Sequence, residues 1–373
     1  MMRPERMNSK GWREGNKEND QKDKRSYAMK NHHNIFLIRK SELSSRNTLD
    51  NQVEREISKT HPERKAMVHV VNTIIPIFAV ILLGWMLRSR DLLPANLLGP
   101  LNRIVYYLAI PAMIFREVAG ADFHQHFNLA LLFCTLLPIL ILFFLALIPV
   151  RLVPIPSSAA GTFLQSSFHG NLGYIGLAVA YYLLGDEGFR SASIMAGFVM
   201  ILQNLLSVVA LQWFNKETQG GNNPRFFIKK VLGNPVVCSA LLGIFFSILA
   251  IPIPQVIDRS LKIISGMSLP LALLIIGASL SFELIRSHFR LAIGAGAFKL
   301  LLLPLLGFFM FRWFVIPVRQ FLPGLILLAC PTATITYVMA TEMKGSPDLA
   351  TAAVSTNTLV SCLTFIFWLS LFA

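Results

Sequence analysis

Gly161-Thr-Phe-Leu-Gln165-Ser166-Ser167-Phe-His169-Gly170-Asn171-Leu-Gly173-Tyr174-Ile-Gly176-Leu177 is the stretch on which the fold turns. It lies inside an apolar run at 159–184, long enough to cross about 30 Å of hydrocarbon. Its middle is polar and glycine-rich. A helix facing lipid does not carry Gln, Ser, Ser, His and Asn within seven residues. Glycine also weakens helix and permits unwound backbone. Unwound backbone at membrane depth is tolerated only where protein or a water-filled cavity surrounds it. The run therefore reads as an interrupted span inside a bundle.

A second stretch has the same character: Cys330-Pro331-Thr332-Ala333-Thr334-Ile335-Thr336-Tyr337. Pro331 has no N–H to donate and breaks a helix. Around these two stretches the chain is a series of apolar runs, at 70–87, 98–118, 129–150, 159–184 and 191–214. After a polar loop at 215–225 come 235–250, 261–280, 291–316, 322–341 and 349–372. The interrupted runs are the fourth and the ninth. Residues 226–232 suggest a short interfacial helix, with Lys229 and Lys230 at headgroup level.

Composition agrees. The 373 residues are 54% hydrophobic and 14% charged, where a soluble domain carries about 25% charged residues. The first 66 residues hold 16 Lys/Arg and 10 Asp/Glu, are rich in Asn, Lys, Glu and Ser, and read as a disordered extension. They contain no signal-peptide apolar core, and Met67 looks like an alternative start. The net charge of +14 does not point to nucleic acid, because six of those charges sit in this extension and most others fall between apolar runs. Cys134, Cys238, Cys330 and Cys362 lie within apolar runs, without zinc-ligand or disulfide spacing, and read as packing residues.

The two halves are related. Pro111 aligns with Pro270 at an offset of 159, His126-Phe127-Asn128-Leu129-Ala130 with His288-Phe289-Arg290-Leu291-Ala292 at 162, and Gly161 and Tyr174 with Gly324 and Tyr337 at 163. With five spans per half, the second copy enters from the opposite side. Inverted repeats of this kind are common among secondary transporters. Lys/Arg are commoner in loops after odd-numbered spans, ten against about six, which places those loops in the cytoplasm and both termini outside.

Paired interrupted spans at matching positions mark a transporter's site. Half-helix N-termini offer free N–H groups and partial positive charge, suited to a carboxylate. Asn171 offers donor and acceptor; Ser166, Ser167, Thr332, Thr334 and Thr336 offer hydroxyls; Gly170 and Pro331 shape the backbone; Tyr337 follows on the ninth span. His169 is the titratable group: it either holds an anion or relays a proton, or it lines the cavity as a neutral, hydrogen-bonded ring. Gln203, Asn204 and Asn357 are second-rank wall residues, and Lys299 in the eighth span either snorkels or pairs. No fixed carboxylate sits near either break. There is no HExxH, no GxSxG and no intramembrane carboxylate pair, so an enzyme is not indicated.

The stretch Gln165–Leu177, the stretch Ala329–Ala340 and the opening Asn72-Thr-Ile-Ile-Pro76-Ile-Phe78-Ala-Val-Ile-Leu-Leu-Gly84 together resemble the auxin efflux carrier family in its bacterial branch. The resemblance covers 67–373. It implies a ten-helix inverted-repeat fold similar to sodium/bile-acid symporters and sodium/proton antiporters, in which the fourth and ninth spans cross. It also implies carboxylate substrates bound near the crossing: auxin in plants, malate or malonate for bacterial relatives. By that pattern Asn171 is the crossover asparagine and Pro331 the crossover proline. Two positions depart from it: bacterial relatives often have Arg at His169 and Pro at Ala178.

The expectation is thus an all-α, multi-pass protein of the bacterial inner membrane, with ten spans in two inverted five-helix repeats. Its parts are 1–66 (extension), 67–214 (first repeat), 215–233 (cytoplasmic loop) and 234–373 (second repeat). It transports small organic anions by alternating access, with Asn171, His169, Gly170, Ser166, Ser167, Pro331, Thr332, Thr334, Tyr337 and Asn357 as the substrate site. No cofactor, metal or nucleic acid is expected; the partners are a small carboxylate and the lipid bilayer, and a homodimer is allowed. The competing readings are a sodium- or proton-coupled carrier of the same fold and a non-transporting sensor.

Overall fold

The computed structural model describes residues 62–122, 127–214 and 233–372. Most of the expected N-terminal extension and nearly all of the expected central loop and interfacial helix lie outside them. Ala66–Ala373 forms one compact unit. Among the described residues there are fourteen α-helices, three π-helical turns and no strand, apart from one isolated β-bridge.

The first half comprises α1 (Pro62–Ser89), α2 (Ala95–Ile104), α3 (Ile110–Ala119), α4 (Leu129–Leu152), α5 (Ser157–Phe168) and α6 (Leu177–Phe214). The second comprises α7 (Pro235–Ile248), α8 (Gln255–Ser265), α9 (Ser268–Ala278), α10 (Phe282–Gly296), α11 (Leu303–Trp313), α12 (Val318–Ala329), α13 (Ile335–Glu342) and α14 (Pro347–Ser370). The π turns are Val105–Ala109, joining α2 to α3, Leu172–Gly176 ahead of α6, and Ala297–Leu302, joining α10 to α11.

Helix starts are written locally. The Asn128 side chain accepts from the Leu131 N–H at 3.0 Å, and Asn234 accepts from Val236 and Val237. The Ser281 and Ser346 hydroxyls do the same for α10 and α14. Each cap satisfies N–H groups that have no partner within their helix. α1 begins at Pro62, ahead of the boundary at 67 expected from composition; its apolar span is Met67–Ser89.

Seven helical segments are long and apolar enough to cross a membrane, where the sequence suggests ten spans. The difference has physical causes. The fourth run is cut after Phe168, and its second part joins the fifth through α6, which turns at Gly185 (φ 66°, ψ −167°). That φ lies in the left-handed region open to glycine. The ninth run is cut into α12 and α13, of 12 and 8 residues. The sixth, α7, has 14 residues.

The apolar surface faces outward as well as inward. Leu82, Tyr107, Phe144, Trp313 and Leu363 are exposed, as residues that meet lipid would be. The interior is made by close helix approach. Gly84 lies against the Leu274 carbonyl and Gly277 against the Ile81 carbonyl, so α1 and α9 touch backbone to backbone. In hydrocarbon, where apolar burial gives helices no mutual attraction, such small-residue contacts supply the packing. Most polar residues of the interrupted runs, Gln165, Ser166, Ser167, His169, Asn171, Thr332 and Thr336, are buried within this packing.

Candidate functional site

α5 stops at Phe168, and His169 (φ −77°, ψ 102°) and Asn171 (φ −78°, ψ 68°) leave helical geometry before the π turn begins. α12 stops at Ala329. Cys330 is extended (φ −56°, ψ 143°), as the residue before a proline tends to be. The two gaps meet. The Asn171 N–H donates to the Pro331 carbonyl at 2.7 Å, and the Ala333 N–H donates to the His169 carbonyl at 2.9 Å. Gly170 and Thr332 thereby form an antiparallel bridge. Backbone groups freed by one break satisfy those freed by the other, which is how irregular backbone survives away from water.

Side chains complete the junction. The Gly170 N–H donates to Gln203 Oε1 and Gln203 Nε2 donates to the Phe168 carbonyl, each at 3.2 Å. Thr332 Oγ1 donates to the Ser166 carbonyl at 2.9 Å and accepts from Asn357 Nδ2 at 2.7 Å. The Ser207 hydroxyl lies 2.6 Å from the Gln203 carbonyl and 2.8 Å from His169 Nδ1. A hydroxyl has one proton. If it goes to the carbonyl, His169 Nδ1–H is the donor to Ser207, which fixes the tautomer of a neutral ring. Gly176 approaches Cys330 so closely that a methyl at 176 would lie 2.6 Å from Sγ.

Of the expected site residues, Ser166, His169, Gly170, Asn171, Pro331, Thr332 and Asn357 come together here, all buried. Ser167 is buried too, but its hydroxyl donates back to the Phe163 carbonyl within its own helix. Thr334 is half-buried at the start of α13, and Tyr337 is 48% exposed on that helix, outside this hydrogen-bonded set. Several buried polar atoms have no partner among the described residues: Ser166 Oγ, Asn171 Nδ2, Gln165 Oε1, Thr336 Oγ1 and Asn357 Oδ1. Unsatisfied buried groups are uncommon in native proteins, and a cluster of them suits a polar ligand.

Two residues gain roles that the sequence reading did not assign. Gln203, ranked second, clasps the first break, and Ser207 orients His169. Their four-residue spacing within an apolar helix places them on one face, a signal readable in advance. Lys299 neither snorkels nor pairs with a carboxylate among the described residues. It is 0% exposed, and its ammonium donates to the Leu328 carbonyl at 2.6 Å.

The membrane transport protein family matches residues 69–369. The chain belongs to that family. It is the auxin efflux carrier family indicated by the motifs around Asn171 and Pro331. Family relatives span nearly the same length. An uncharacterized transporter of Methanothermobacter thermautotrophicus is 22% identical over 79% of this chain and 96% of its own length. Another, of Methanocaldococcus jannaschii, is 23% identical over 80% and 97%. A protein of Rhizobium meliloti, named as a candidate malonate transporter, is 22% identical over 80% and 94%. As a member of this transporter family with several membrane-crossing helices, the chain is a multi-pass membrane protein.

Proposed function

We propose that this family member is a secondary transporter of small organic anions, with malonate- or malate-sized carboxylates as the first candidates and auxin-like acids next. The observation that carries the reading is the bridge between Gly170 and Thr332, set among buried polar atoms that lack partners among the described residues. Three of the five atoms without a partner among the described residues can donate, Asn171 Nδ2 and the Ser166 and Thr336 hydroxyls, and the N-terminal ends of the Leu172 turn and α13 lie beside them. Donors converging on one place favour an anion. The relative named for malonate transport supports a carboxylate.

In this reading the chain has ten spans in two inverted five-helix repeats, 67–214 and 234–373. α5 with the start of α6, and α12 with α13, are the fourth and ninth spans, crossing at the bridge. Rocking about the crossing exposes the site to one side and then the other. Uptake of labelled malonate, malate and a wider carboxylate panel into proteoliposomes tests it, with and without sodium and proton gradients. Saturable uptake, lowered about tenfold or more by Asn171→Ala, is expected. No saturable flux for any carboxylate, or N171A behaving as wild type, defeats it. Dependence on a sodium or proton gradient identifies a coupled carrier; ligand binding without flux identifies a sensor.

A further inference from the structure

Lys299 is the one lysine or arginine among the described residues whose side chain is wholly enclosed. It sits in the π turn Ala297–Leu302, an irregularity often found at functional sites. Among the described residues its single hydrogen bond is to the Leu328 carbonyl, in the last turn of α12, and an ammonium has three N–H donors. The ion pairs of the described residues join Arg88 to Asp91, Arg116 to Glu117 and Asp258, and Arg190 to Glu117; none reaches Lys299. A helix C-terminus carries only about half an elementary charge, so the carbonyl is a partial counterweight. A buried cation without a full counter-charge is costly.

Its position relates it to the bridge. A side-chain carbon on Gly170 would lie 3.2 Å from both Cε and Nζ of Lys299, so the amine lies directly against the bridged backbone. The next residue, Asn171, has a buried Nδ2 without a partner among the described residues. Two donors of excess hydrogen-bonding capacity thus flank Gly170, and one carries the charge that a carboxylate would neutralise. The first half has no equivalent: at the offset of 162 Lys299 falls opposite Leu137.

We propose that the Lys299 ammonium is the counter-ion of the transported carboxylate, resting on the Leu328 carbonyl when no anion is bound and pairing with the anion beside Gly170 and Asn171. The inference rests on the carboxylate-transporter reading. The rival role is structural, an amine that only caps α12.

Malonate is the probe, with uncharged malonamide as control. Purified wild type, Lys299→Gln and Lys299→Arg are compared by malonate-induced thermal shift and by uptake into proteoliposomes. K299Q keeps a donor for Leu328 but removes the charge. Loss of a buried charge partner predicts an apparent malonate affinity lower by about 30-fold or more. K299R keeps the charge and is expected to retain a malonate response, and malonamide is expected to shift none of the three proteins. K299Q that binds and moves malonate within twofold of wild type overturns the proposal, since a cap alone would behave so. Should K299Q not fold, K299R decides: a malonate response that persists with its affinity shifted about threefold or more supports the counter-ion role, because a guanidinium pairs a carboxylate in a different geometry, and a folded K299R within twofold of wild type overturns it. If wild type moves no member of the carboxylate panel, the transport reading itself has failed. That result differs from wild-type transport left intact in K299Q.

Discussion

At the Gly170 break a donor and an acceptor both need new partners, whereas at the Pro331 break the need is mainly for donors. Glycine keeps its N–H when it leaves the helix, so the first break exposes that N–H together with the Phe168 carbonyl. A primary amide is the side chain that answers both, and Gln203 donates with Nε2 and accepts with Oε1. Proline has no N–H to return to the Leu327 carbonyl four residues before it. The extended backbone at Cys330 ends the helix and leaves the Leu328 carbonyl to be met from elsewhere, and the donor-only amine of Lys299 meets it. The first break is thus clasped by one amide, whereas the second adds a donor-only amine to the neutral contacts of Thr332 and Asn357.

That contrast can be broken most severely at Gln203. Gln203→Leu strands two buried backbone groups at once. Each unsatisfied group costs about 1–3 kcal/mol, so a loss of about 2–6 kcal/mol is expected, read by thermal unfolding in detergent. Unfolding within about 1 kcal/mol of wild type would mean that water serves the first break instead. Gly176→Ala comes next, because its methyl would press on Cys330 Sγ and push the two breaks apart. Overpacking of this kind costs about 1–3 kcal/mol. Cys330→Ala in the same chain is expected to return most of the loss, and additive effects in the double variant would rule out the contact as cause. Asn357→Ala should have the smallest effect, about 0.5–1.5 kcal/mol. It removes a donor from Thr332, whose own hydroxyl still reaches the Ser166 carbonyl. If N357A proves as damaging as Q203L, the second break depends on side chains as much as the first does.

Much of the bundle is legible from the chain alone, because the membrane requires long apolar runs and those are visible by eye. The breaks were legible too. Gly170 with its polar neighbours and Pro331 announce them without any knowledge of tertiary structure. What was hidden is the pairing across space: that the Asn171 N–H meets the Pro331 carbonyl is a fact about two segments 160 residues apart. Lys299 was hidden for the opposite reason. Its neighbours are apolar, so sequence offers it either a route to the headgroups or a partner, and the π turn that points it inward has no local signature. Tyr337 shows the limit of alignment. It matches Tyr174 at an offset of 163, yet Tyr174 is buried and donates to Asn102 Oδ1 while Tyr337 faces outward. Positions that a sequence offset pairs need not face equivalent surroundings.

The clasp at Gln203 also bears on the order in which the protein can be made. Gln203 follows Gly170 by 33 residues, within the same half of the chain. Pro331 follows Asn171 by 160, and ribosomes add about 5–20 residues per second. For about 10–30 s the first break therefore exists without the backbone that will pair with it. During that interval the Gly170 N–H and the Phe168 carbonyl can already be satisfied from within the nascent half. The Asn171 N–H and the His169 carbonyl must wait for the second half to arrive. The junction is assembled late, on a first half that has been kept ready for it by one glutamine.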